Sequence, residues 1–191
     1  MDYKFLLHIA FLMISNPAKA WEEIRLRPNI REVSFEYVYP MIGFSALAVF
    51  IGSIFERGWG NAEDYQYAMM NCAAVVVSLF GAFFLSSYLI NMVRMRLLEQ
   101  RDDILLSQQF VGYCMTVTFL LQILTGILPN MGIISILLQF YVIYLVWEGS
   151  EKLLDVTEDK RTALTIIASV ILLVCPPMIR FVFDQLNILL N

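Results

Sequence analysis

Between positions 104 and 147 the chain carries no Asp, Glu, Lys, Arg or His. One helix needs about 20 apolar residues to cross a hydrocarbon layer of ~30 Å, and this uncharged run is roughly twice that long. It therefore crosses twice. The only turn chemistry inside it is Pro129-Asn130-Met131-Gly132, where proline ends one helix and Asn and Gly accept loop conformations before the next. The run reads as a transmembrane hairpin, 108–128 in one direction and 133–147 in the other. Charge resumes at both outer ends, in 94–103 and in 148–161, so these two clusters share one side of the membrane.

Hydrophobic residues make up 59% of the chain and charged ones 16%, a balance that no single soluble core of this length could bury. The expected fold class is an all-α polytopic membrane bundle. A formal net charge of −4 excludes a nucleic-acid partner, whose phosphates call for clustered Lys and Arg. Cys72, Cys114 and Cys175 all stand in apolar runs, without the spacing of a zinc site or a disulfide framework, and read as small buried hydrophobes.

Residues 5–14 form an apolar decamer that rises about 15 Å as a helix, half of a crossing. It is expected in the interface or against the bundle. Ala18-Lys19-Ala20 resembles a small-residue cleavage site, but the n-region is only Met1-Asp2-Tyr3-Lys4, so the segment reads as retained. Asn16 suits an N-cap and Pro17 a first helical residue, which predicts a short helix over 17–27 that stops before Pro28. Lys19, Glu23 and Arg27 recur every four residues on one face, and Trp21 stands with Ile24 on another. Such a helix is expected along the headgroups, with Trp21 as its interfacial anchor.

Residues 1–37 thus form an N-terminal unit and 38–191 a membrane domain. Its five crossings are expected at 38–55, 68–93, 108–128, 133–147 and 164–183. Pro176-Pro177 is expected to break the hydrogen-bond ladder of the last one. Lys and Arg are retained in cytoplasmic loops. Eleven of the 13 lie in the N-terminal unit, the second loop and the fourth loop, and only Arg57 and Arg180 lie on the other side. The N-terminus is expected in the cytoplasm and the C-terminus opposite.

Three local patterns resemble the Yip family, five-crossing proteins first known as interactors of Ypt/Rab GTPases, and its bacterial branch in particular. Asn16-Pro17-Ala18-Lys19-Ala20-Trp21-Glu22-Glu23-Ile24 is similar to the N-P-x-x-x-W-x-x-I opening of bacterial members. Gly112-Tyr113-Cys114 is similar to the family's Gly-Tyr motif. Glu36-Tyr37-Val38-Tyr39-Pro40 stands where eukaryotic members carry Asp-Leu-Tyr-Gly-Pro, keeping an acid and the proline but not the glycine. The resemblance implies five crossings, a cytoplasmic N-terminus and a bacterial inner-membrane location. It implies no activity, and Rab binding does not carry over to a bacterial host.

The residues themselves offer little chemistry. His8 is the sole histidine and reads as an interfacial side chain. No G-x-S-x-G or H-E-x-x-H is present, and no apolar core of a crossing holds an ionisable residue, so no catalytic residue, metal site or cofactor is expected. Asn71, Asn91, Gln122 and Gln139 are amides deep within crossings, read first as interhelical hydrogen-bonding groups. Glu148, Glu151 and Asp155 are spaced i, i+3, i+7 and would share a face if the fourth crossing continued as a helix. Ala74, Ser78, Ala82 and Ser86 form a small-x-x-x-small stripe that lets a helix approach closely, with Ala48 and Gly52 as its internal match and a second copy of the chain as the alternative.

The sequence therefore points to a non-enzymatic membrane-organising or partner-binding scaffold. The lipid bilayer is its medium, a protein partner is expected at Trp21, Glu148, Glu151 and Asp155 on the cytoplasmic face, and a homo-oligomer is allowed. The alternative is a small-molecule permease or channel with a polar path through Asn71, Gln122 and Gln139 beside Pro176 and Pro177. A hydrated cavity touching those amides would favour transport, and a dry packed core the scaffold.

Overall fold

Hydrocarbon offers the backbone no hydrogen-bond partners, so a chain this apolar has to close its own peptide groups into helices or a sealed barrel. The computed structural model describes residues 3–26, 33–58 and 60–190, and among them every regular element is helical. Two short helices come first, α1 (Tyr3–Ser15) and α2 (Pro17–Arg25). A π-helical turn, Ser34–Val38, runs without interruption into α3 (Tyr39–Arg57). There follow α4 (Ala62–Leu97), α5 (Ile104–Cys114), α6 (Thr116–Ile127), α7 (Gly132–Gln139), α8 (Tyr141–Lys152) and α9 (Glu158–Leu190).

Five stretches are long and apolar enough to cross a membrane: Ser34–Arg57, Ala62–Leu97, Ile104–Ile127, Gly132–Lys152 and Glu158–Asn187. The third joins α5 to α6 through a turn at Met115, whose N–H still donates to Val111 O at 2.9 Å. The fourth joins α7 to α8 at Phe140, where the bond tightens to Leu137 O. A short 3-10 turn at Pro129–Met131 closes the hairpin between them. The protein is a multi-pass membrane protein.

The N-terminal helices show why composition alone misjudges a short apolar segment. Asn16 does cap α2, its side chain accepting from Lys19 N at 3.2 Å with Pro17 following. Arg27 and Pro28, expected at the end of this helix, lie outside the described residues, as does Trp59. α1 takes the second of its two expected positions, against the bundle, and buries Leu6, Ile9 and Met13. Trp21 corrects the sequence reading. It is 0% exposed, its Nε1 donates to Leu145 O at 3.1 Å, and its ring stacks on Phe110 at 5.7 Å, so it anchors α2 to protein and not to headgroups.

One further expectation gives way. α9 is one unbroken helix through Pro176-Pro177. The prolines still lack the N–H groups that would reach the carbonyls of Leu172 and Leu173, but a helix this long has turns on both sides to hold its course. Ala48 and Gly52 lie on a helix that packs against α4, and both also stand against α6. A Cβ on Gly52 would stand 1.6 Å from Gly126 O, and one on Gly126 would meet Val49 N at 2.8 Å, so α3 touches α6 backbone to backbone at this point. Ala74, Ser78, Ala82 and Ser86 are all buried within the chain, on a helix that packs against both α3 and α9.

Candidate functional site: a polar cavity beside the proline pair

α9 packs on α4 and α8, and α7 packs on α6. Between them lies a cavity of about 460 Å³. That is the size of an ordinary small-molecule site. Ser78 and Leu79 of α4, Thr118 and Gln122 of α6, and Ser135, Ile136 and Gln139 of α7 line it, with Phe140 following. From α9 come Leu173, Pro176, Pro177 and Arg180, spaced i, i+3, i+4, i+7, which is one face of a helix. The hairpin repeats the device on both arms, Thr118 with Gln122 and Ser135 with Gln139, each pair one turn apart. Ile136 and Phe140 are exposed as well as lining, so the cavity opens on the outside of the bundle.

Its polar groups are unevenly committed. Gln139 Nε2 donates to Thr118 Oγ1 at 2.7 Å, while the Ser78 and Ser135 hydroxyls donate back to Val75 O and Gly132 O of their own helices. The side chains of Gln122 and Arg180 have no hydrogen bond or ion pair among the described residues. No carboxylate among the described residues lines the cavity. Of the amides read from the sequence, Gln122 and Gln139 meet here with Pro176 and Pro177. Asn71 does not, its Nδ2 donating to Ser53 Oγ at 3.3 Å.

The motifs of the sequence meet elsewhere, in a dry aromatic cluster. Trp21 stacks on Phe110 and stands edge-on to Tyr113 at 6.1 Å, and Tyr113 packs on Tyr37 at 4.7 Å. Tyr37 Oη shares a hydrogen bond of 2.7 Å with Thr116 Oγ1. A Cβ on Gly112 would press Val38 Cγ2 at 2.7 Å, and one on Gly149 would press the Trp21 ring at 2.6 Å, so glycine is needed at the first to seat Val38 and at the second to admit the indole. The asparagine-proline-tryptophan opening, the acidic-tyrosine segment before α3 and the glycine-tyrosine pair of α5 are thus one packing unit.

A family model, the Yip1 domain, matches residues 11–178. The chain belongs to the Yip1 family. No curated protein and no solved structure matches it.

In this Yip1 protein the acidic stripe is not one helical face. α8 ends at Lys152, and Asp155 adopts φ 48°, a left-handed conformation that Asp tolerates and that turns the chain out of the helix. Glu151 pairs with Arg161, and Asp155 pairs with Arg25 at 3.0 Å. Lys152 pairs with Glu22 at 3.1 Å. Glu148 forms no ion pair among the described residues. The loop before α5 is held from beneath by Arg94, 3% exposed, which donates to Gln100 Oε1, Asp103 O and Ser107 Oγ. Gln100 Nε2 reaches on to Leu154 O at 2.9 Å. The three charged segments therefore meet, largely satisfied by one another.

Sequence reasoning missed Thr118, Ser135 and Arg180, and it placed Ser78 in a packing stripe without seeing that it borders space. Arg180 had a signal. It lies one turn from Pro176 on the same face, but as a basic residue beyond an apolar run it reads as a loop charge.

Proposed function

We propose that this Yip1 protein is a non-catalytic membrane-embedded binding protein whose cavity takes a small or amphiphilic molecule out of the bilayer, as a carrier or permease would. The observation that carries this reading is the meeting of Gln122, Gln139 and the proline pair on one cavity of about 460 Å³. Helix positions with lost backbone hydrogen bonds are where membrane carriers build their sites, and Leu173, one of the two residues whose carbonyls lose a donor to the prolines, is in the lining. The test is melting of the purified full chain in detergent against a panel of amphiphiles. A ligand at about 100 times its dissociation constant adds about 2.7 kcal/mol. A shift for at least one compound, lost in Gln122→Leu/Gln139→Leu with the unliganded melt unchanged, supports the reading. No shift with any compound contradicts it.

A second reading, the partner-binding scaffold, draws support from the convergence of α2, the 98–103 loop and the 153–157 loop on one side. A basic partner would compete with Arg25 and Arg161 for Asp155 and Glu151, with Glu148 beside them. Partners lost from a Glu151→Lys/Asp155→Lys pull-down, with membrane insertion unchanged, would favour it over the carrier. We place the protein in a bacterial inner membrane, from the likeness of its asparagine-proline-tryptophan opening to bacterial members, with α2 on the cytoplasmic side, from the distribution of Lys and Arg. A cysteine at Asn61 should react with an impermeant reagent added outside and one at Asp103 should not.

A further inference from the structure

The family match ends at residue 178, so Arg180 is a part of the cavity wall that it does not cover. A cation within a membrane-spanning helix is costly unless it finds a partner or water. Three other basic side chains of the crossings have theirs: Arg57 lies over the Tyr67 ring at 3.6 Å, Arg94 makes three hydrogen bonds, and Arg161 pairs with Glu151 and covers the Trp147 ring at 4.0 Å, while Arg96, without one among the described residues, is exposed at the charged end of α4 and borders no cavity wall. Arg180 has none among the described residues, although Asp184 stands one turn further along α9. Nineteen helical positions separate it from Arg161, about 28 Å at 1.5 Å per residue. A span that puts Arg161 at one edge of the ~30 Å hydrocarbon puts Arg180 near the other, where a long side chain reaches toward the headgroup phosphates.

The cavity wall therefore runs along α9 from a cation at headgroup level to Leu173, two turns deeper. We infer that it binds an anionic amphiphile, with a phosphate- or carboxylate-type head on Arg180 and Gln122 and an apolar chain along Ile136, Phe140 and Leu173. A guanidinium fork matches the paired oxygens of such a head. A neutral amphiphile would leave the cation unpaired, and a soluble anion would leave the apolar wall uncovered. The assignment rests on the cavity reading above and adds the charge and shape of the occupant.

The experiment uses the full chain in phosphatidylcholine vesicles carrying a trace of a diazirine-bearing phosphatidylglycerol or of the matching diazirine diacylglycerol, which has no phosphate, with labelled peptides of α7 and α9 mapped by mass spectrometry. The anionic probe should label the cavity in preference to the neutral one. Arg180→Gln should cut that labelling about tenfold, the scale of one charge-assisted contact, with helix content unchanged by circular dichroism. Ile136→Trp, which fills the cavity and leaves Arg180 in place, should abolish it, and glycerol phosphate should not compete. Labelling unaffected by Ile136→Trp would mean that Arg180 only reaches for bulk headgroups, and full competition by glycerol phosphate would mean a site for a free anion. Either result overturns the proposal. Equal labelling by both probes, indifferent to Arg180→Gln, overturns the anionic assignment and leaves the cavity reading standing. No cavity labelling by either probe removes the reading itself.

Discussion

The two ends of the chain's path through the membrane are built to different standards. In the most apolar 18-residue stretch of the first and third crossings, 56% and 61% of the residues are buried, against 22% in each of the fourth and fifth. The contrast is not one of hydrophobicity, since lipid solvates Leu and Ile as well as protein does and gives helices little reason to bury them. It follows from small residues. Gly52 and Gly126 let α3 and α6 touch, Gly112 lets the turn before α3 settle on α5, and Gly149 lets the Trp21 and Phe110 rings into the joint between α2, α5 and α8. α7 has no buried residue, and the space around its single glycine, Gly132, is empty. Where close approach is not enforced, the bundle keeps a cavity.

The comparison breaks most readily at Gly52. Gly52→Leu should prevent folding or cost more than about 3 kcal/mol in detergent melting, because the obstacle is backbone and cannot swing aside. Gly132→Ala, on the open side, should stay within about 0.5 kcal/mol of wild type. Equal melting of the two variants would mean that α3 and α6 do not touch as described.

Trp21→Ala should cost about 3–5 kcal/mol, the range for a fully buried large aromatic. An interfacial anchor would lose far less, so the same melt separates the two positions for this side chain. On the charged surface the effects are smaller. The Arg25–Asp155 pair is more than half exposed on both sides, and a double-mutant cycle with Arg25→Ala and Asp155→Ala should give a coupling under about 1 kcal/mol that shrinks with added salt. Smallest of all, Ile136→Trp should leave stability within about 0.5 kcal/mol, because the residue is 64% exposed and borders a space able to accept a ring. A large loss there would show that the open half is as tightly packed as the other.

The five crossings were legible because length and lack of charge decide a membrane span residue by residue, and both the 104–147 hairpin and the Pro129–Met131 turn state themselves in the sequence. Which face of a crossing meets which neighbour was not. The small-residue stripe of α4 was visible, but the contact of Gly52 with α6 was not, since a lone Gly126 in an apolar run carries no pattern of its own. Trp21 was misplaced for a related reason. An aromatic beside charges reads as interfacial unless Phe110 and Gly149, far away in sequence, are known to receive it. The cavity was half legible: Gln122, Gln139 and the prolines were named, and Asn71 was grouped with them because amides in crossings look alike until the helices are placed.

The central claim, that the open half of the bundle holds the functional site, is tested most directly by an experimental density map of the full chain in lipid nanodiscs. The account predicts elongated non-protein density between α7 and α9, reaching from Arg180 toward Leu173, with α3 and α6 in contact at Gly52 and Gly126. A map in which α7 closes on α9 and side chains fill the space would contradict it.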